Sequence, residues 1–390
     1  MLRSLYSGIS GLRAEQTMLD VTSNNIANVN TVGFKSSSVQ FEDALSQTVS
    51  AAGLATSAKA GTNPNQVGLG VRVAGVRTNL TEGSQTTTGN NMDAMISGDG
   101  YFVTTQGSQT LYTRNGSFHW DSEGRLATAD GALVQGWPAV NGTVSTGGRP
   151  QTLTLPAGTV APAVESTRAT LAGNLPVDAA KDTSLERDIT VYAKDGAAST
   201  LSATFVADGA GNWSYTMKNG SDTATGTVKA GSALLTGDTT ATVGGLQVDL
   251  SGMSGYAGLT TPNFADQNGT AAGTLLTVAF GTDGTISGTF SNGATVPIAR
   301  LAVGVFTNPE GLAKAGNSSM TETLNSGSVR LGTAGTDGYG DVVSGALEAS
   351  NVDLSQEFTN LIIAQRGFQA NARIITTSDD ILQELMQLKR

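Results

Sequence analysis

The chain has 390 residues, a formal charge of −10, no cysteine and a single histidine, His119. These exclude disulfides, thiolate zinc sites, Cys/His nucleophiles and multi-histidine metal cages, and they argue against nucleic acid or an anionic membrane surface as partner. No apolar run approaches the ~20 residues of a membrane span, and Gly8, Gly11, Arg13 and Glu15 interrupt any signal-peptide core, so no cleavable leader is expected.

From the start, Leu2, Leu5, Ile9, Leu12, Gln16, Leu19, Ser23 and Ile26 alternate in steps of three and four, the spacing of a coiled-coil seam, and predict an amphipathic helix. It runs out in the asparagines of SNNIANVNTVGFK, where Asn24, Asn25, Asn28 and Asn30 suit caps and turns, Gly33 permits a left-handed turn, and Phe34 can anchor against a core. Asn28 and Asn30 are expected to satisfy orphan carbonyls and to tolerate left-handed geometry. A linker is expected over 31–70, with a short helix around Phe41 to Val49 before an extended Ala/Gly/Ser/Thr/Asn stretch.

Strands dominate from Val71 onward. Three turn signals, at Asn115-Gly116, Asp121 to Gly124 and Asp130-Gly131, predict a β-meander. A proline-bearing stretch marks a boundary near residue 150; residues 151–285 continue all-β with turns at Asp208 to Gly211, Asn219-Gly220 and Asp283-Gly284. VPIARLAVGVF then reads as a buried strand that can complete a sheet begun before residue 150.

The chain closes on a second long helix. Leu354, Phe358, Leu361, Gln365, Phe368, Ala372, Ile375, Asp379, Leu382 and Met386 repeat the three-four alternation, and Ile374, Ile381, Leu385 and Leu388 add an adjacent stripe. Ser350 with Asp353 suggests a capping box, so the helix is expected from about Asn351 to the end. Two apolar stripes on so long a helix exceed what one shorter helix can cover, so part of the face is expected to meet something outside the monomer.

The expected class is therefore α+β, mainly β. Terminal helices 1–30 and 350–390 form a coiled-coil-like core domain; an inner β domain spans 71–150 with 286–349, and an outer β domain, 151–285, is inserted in it.

Nothing nominates a catalytic, cofactor or metal site. The glycine pairs Gly68/Gly70 and Gly98/Gly100 complete no phosphate-loop spacing, and GTDGYGD, containing Asp337 and Asp341, lacks the closing glutamate of a calcium loop. His119 reads as a strand residue with one face on solvent. The triplets at Asn115, Asn141, Asn219 and Asn268 match glycosylation acceptors formally but read as hairpin turns. Paired carboxylates for glycoside hydrolysis need only spatial closeness, which leaves a secreted β-rich glycosidase or adhesin as the rival class.

Three stretches, NNIANVNTVGFK at 24–35, GDGYF at 98–102 and EASNVDLSQEFTNLIIAQRGFQANARIITTSDDIL at 348–382, closely resemble the bacterial flagellar rod and hook proteins. Within that family, TVGFKSSSVQFEDALSQT and the large insertion are similar to hook subunits more than to the shorter distal rod subunits. The resemblance implies a non-enzymatic subunit of a curved tube that acts as a universal joint between motor and filament. It would polymerise through its terminal helices, with Leu5, Ile9, Leu12, Leu19, Ile26, Leu354, Phe358, Leu361, Phe368, Ile375 and Leu382 as assembly positions. It also implies extracellular location after export by the flagellar type III apparatus, with the rod, a hook cap and hook-filament junction proteins as partners.

Overall fold

A computed structural model describes residues 2–54, 60–140, 142–155, 158–231 and 234–388; Asn141 and the side chains of Leu2, Leu385 and Leu388 lie outside the described residues. The chain is mainly β with one long helix at each end, α1 (Leu2–Ala27) and α2 (Leu354–Leu388). It divides into two compact units. One comprises 1–155, 279–287 and 297–390, the other 156–278 and 288–296.

In the first unit, Tyr101–Gln106 and Gln109–Thr113 form a hairpin closed at Gln106 and Gln109, whose second arm pairs with Ser319–Thr321. The first arm is flanked by Leu133–Val140, which pairs Val134 with Thr104, and by Val303–Val305, which pairs Val303 with Phe102. Gly136 pairs with Leu301, so the apolar run read from VPIARLAVGVF does join strands from before residue 150. Its core gathers Tyr101, Val103, Tyr112, Trp137, Ala302, Phe306 and Met320, with Phe306 set edge-on to Tyr112 at 4.8 Å between centroids.

Two of the three turn signals make hairpins in the expected meander: Phe118–Trp120 pairs with Leu126–Thr128, and that strand with Leu133–Val140. Asn115-Gly116 does not, because Gln109–Thr113 pairs back on Tyr101–Gln106 instead. The Asn115 side chain accepts the Ser117 amide at 3.0 Å in a local turn that redirects the chain. His119 is exposed beside buried Phe118, as the alternation suggested.

No helix forms at Phe41 to Val49. β1 (Ser37–Asp43) pairs antiparallel with β4 (Val71–Thr78), and β2 (Ser46–Ser50) pairs with β3 (Asn65–Gly68). The apolar spacing there fitted a helix, but Val71, Val73 and Val76 offer a β-branched partner strand more than twenty residues on, and cross-strand pairing overrides local periodicity.

The second unit packs a five-stranded antiparallel sheet, Ser184–Tyr192 through Thr236–Gly237, with a four-stranded sheet in which Arg168–Asn174 runs parallel to Leu246–Ser254. Inward residues alternate along Ala198–Ala207 and Asn212–Asn219, and both sheets share a core of Leu171, Leu201, Phe205, Trp213, Met217 and Leu250. Trp213 is fully buried and donates its indole N–H to the Pro176 carbonyl at 3.1 Å. Trp213→Ala should cost about 3–5 kcal/mol of this unit's stability, read as a lowered urea midpoint by circular dichroism.

Candidate assembly interface

The helices begin and end where side chains stop the backbone. At the exit of α1, Asn28 donates its amide to the Asn24 carbonyl at 2.9 Å and accepts the Thr31 hydroxyl at 3.0 Å. Asn30 is exposed and makes no side-chain hydrogen bond among the described residues. Neither Asn28 nor Asn30 is left-handed; that geometry falls to Gly33, with φ +66°. A Cβ at Gly33 would lie 2.8 Å from the Asn115 amide nitrogen, so glycine is required by both conformation and space. Phe34 is half-buried beneath the Lys314 ammonium, 5.2 Å from its ring centre. α2 starts at Leu354, three residues later than the expected Asn351. Asp353 is its cap, accepting the amides of Ser355 at 2.9 Å and Gln356 at 3.2 Å. Asn351 instead bridges the residue before β1 and the segment after β4, accepting the Ser36 amide and donating to the carbonyls of Asn79 and Thr81.

Between these two helix ends lies a buried charge cluster that sequence reasoning missed. Glu348 is fully buried; its carboxylate holds the Lys35 ammonium at 2.5 Å and the Arg114 guanidinium at 3.4 Å, and accepts the Gly83 amide at 2.9 Å. Lys35 also donates to the Thr81 carbonyl, and Arg114 to those of Ile96 and Gly98. Burial pushes the Lys35 pKa down, partly offset by the hydrogen bond to Glu348. Lys35 and Glu348 sit within two of the quoted motifs, yet pattern alone gave no reason to bury them.

The helices themselves run antiparallel and touch through small side chains. Gly8 faces Ile374 and Ile375, Gly11 faces Asn371, Glu15 lies over Gly367, and Asn25 donates to Glu357 at 3.0 Å. On α1 the buried positions are Gly8, Gly11, Ala14, Thr22 and Asn25, whereas the expected seam residues Leu5, Ile9, Leu12, Leu19 and Ile26 are only half-buried. Asn25 also exchanges two hydrogen bonds with the Ser37 backbone, tying α1 to β1. On α2, Ala364 and Ser378 are buried and Leu361, Phe368, Ile375 and Leu382 half-buried. Leu354 and Phe358 are exposed, as are Ile362 (56%), Ile363 (55%), Ile374 and Ile381 (both 43%) and Met386. The apolar residues thus flank the helix contact and leave much of their surface to solvent.

Glu348→Gln should leave two cations buried without their anion, at a cost of about 3–5 kcal/mol. Gly33→Ala should cost at least about 1–3 kcal/mol through strain. Both should lower the unfolding transition of the first unit and leave that of the Trp213 core in place, a difference calorimetry can resolve.

Three family models match: "Flagella basal body rod protein" over residues 5–35, "Flagellar hook protein FlgE/F/G D1 domain" over 95–180, and "Flagellar basal body rod FlgEFG protein C-terminal" over 343–388. Flagellar hook protein FlgE of Borreliella burgdorferi is 37% identical over the whole of both chains, and that of Escherichia coli K12 35% over 98% of each. Flagellar basal-body rod protein FlgG of Bacillus subtilis is 32% identical, again over the whole of both. A likeness to the crystal structure of Helicobacter pylori flagellar hook protein FlgE2, with TM-score 0.47 and 14% identity over 68% of this chain and all of that one, is too weak to carry an argument. Full-length identity above 30%, together with family matches at the two helices and the β body between them, places the chain in the flagellar rod and hook protein family.

Proposed function

We propose that the chain is the structural subunit of the flagellar hook, a curved tube that passes torque from rod to filament. The observation that carries this reading is full-length similarity to proteins named as hook subunits, together with apolar residues on α2 left in solvent. The rod reading draws on a relative at slightly lower identity. The role is mechanical and turns over no substrate. Its other partners would be the rod, a hook cap, the junction proteins and the type III export apparatus, placing it outside the cell. No described helix is long and apolar enough to cross a membrane.

On this reading the paired helices form a coiled-coil-like core domain, and the chain of the second β unit is inserted in that of the first. Small residues at the helix contact bring the backbones close, while Leu12, Leu19, Phe358, Ile362 and Ile363 remain for neighbouring copies. β2 and β3 support the same reading. They form an isolated two-stranded ribbon exposed on both faces, with Leu45, Val49, Val67 and Leu69 in solvent, and such ribbons are marginal without a covering partner.

The test uses Ile362 and Ile363, because exposed side chains separate assembly from folding. Replacing both by serine should move the monomer's melting little. Even ~1.4 kcal/mol lost per subunit raises the critical concentration for polymer about tenfold. Sedimentation and electron microscopy of salt-induced polymer measure it, and normal tubes from the double variant would count against assembly through this face.

A further inference from the structure

We propose that the Glu15 carboxylate is a receptor for an arginine, one of Arg13, Arg366 or Arg373, donated by a second copy of this chain when helix pairs associate. The inference rests on the assembly reading above and adds to it a specific polar contact.

Glu15 stands among the half-buried leucines of α1. Leu5, Gly8, Leu12, Glu15, Leu19, Thr22 and Ile26 follow one another at three and four residues and so share one face. Its carboxylate lies over Gly367 of α2, where any Cβ would come within 2.5 Å of Oε1. The other oxygen, Oε2, is buried and accepts no hydrogen bond among the described residues. A buried carboxylate oxygen without a donor is costly, and here burial pushes the carboxyl pKa up. A cavity of about 310 Å³ adjoins it, lined also by Ser7, Gly11, Ala14, Phe41, Gly70 and Asn371, none of them a cation.

The complementary charge is on the same two helices. Arg13, Arg366 and Arg373 are exposed and have no acidic partner among the described residues. Away from the helices, Arg72, Arg77, Arg114, Arg125, Arg168 and Arg300 each hold a carboxylate, whereas Arg149, Arg187 and Arg330 hold none among the described residues. Arg366 and Arg373, seven residues apart, share a face about 180–200° round α2 from Ala364, the most fully buried of its described residues. They also lie about 100–120° round the helix from Gly367, off the line on which it meets Glu15. A helix pair that carries an anion lacking a donor on one side and cations lacking an acceptor on another is complementary to a second copy of itself. Guanidinium suits the role because its fork matches a carboxylate, and a turn of the Glu15 side chain toward the adjoining cavity would bring the orphan oxygen to it.

The experiment is sedimentation of the full chain under conditions in which wild type polymerises. Glu15→Gln keeps the shape and removes the charge, and should raise the critical concentration at least about tenfold. One of Arg13→Gln, Arg366→Gln and Arg373→Gln should match it, and Glu15→Arg combined with that arginine→Glu should restore polymer, which a misfolded variant could not do. Glu15→Gln polymerising as well as wild type or better would overturn the inference, as would a defect that none of the arginine variants reproduces. A wild type that never polymerises would instead overturn the assembly reading, and the inference with it.

Discussion

The contact on which the first unit turns is the carboxylate of Glu348. It draws together three segments distant in sequence: Lys35 from the exit of α1, Arg114 from the β body, and its own strand, six residues before α2. Both helices therefore enter and leave the body beside one buried anion. The Gly33 amide donates to the Glu348 carbonyl at 2.8 Å, so backbone and side chain of one residue hold the same crossing. Such a cluster is weak evidence for net stability, since desolvating the charges offsets most of their attraction. It contributes geometry instead. Arg114 and Lys35 accept only a narrow set of positions once their carbonyl partners are in place.

The helix contact follows a complementary logic. A seam of leucines would have stabilised the pair and left little to offer a neighbour. Glycine, alanine and threonine at the closest approach instead bring α1 and α2 together at low apolar cost and push the larger side chains to the flanks. Helices paired in this way are held from outside the pair as well: Asn25 reaches Ser37, and the Val71 amide donates to the Ser10 hydroxyl. The half-buried leucines and exposed isoleucines are then left with much of their surface in solvent.

The candidate site was partly legible. The asparagine-rich exit, the need for glycine at residue 33 and a role for Phe34 all followed from local chemistry, because caps and left-handed turns are decided within a few residues. The three-four alternation located both helices, with the start of α2 three residues later than expected. It did not show that small residues make the contact within the pair. Periodicity assigns hydrophobic side chains to a face but cannot say whether that face meets its own chain or another, and glycines carry no hydrophobic signal at all. Lys35, Arg114 and Glu348 were unreadable for a related reason: a charge is buried only when its partners, here 79 and 313 residues along the chain from Lys35, arrive in space.

By itself, then, the sequence determined what is local. It specified two terminal helices, a β-rich interior punctuated by Asn-Gly and Asp-Gly turns, and family membership through short motifs at both ends. Tertiary structure decided what is not local. It turned the expected helix at Phe41 to Val49 into strands, since a partner strand at 71–78 offered better pairing than the helical spacing did. It withdrew Asn115-Gly116 from the meander, set small residues at the helix contact, and buried Glu348. The physical reason is common to all four. Turn and cap preferences act over a few bonds, whereas strand pairing, close packing and charge burial depend on groups that only the folded chain brings together.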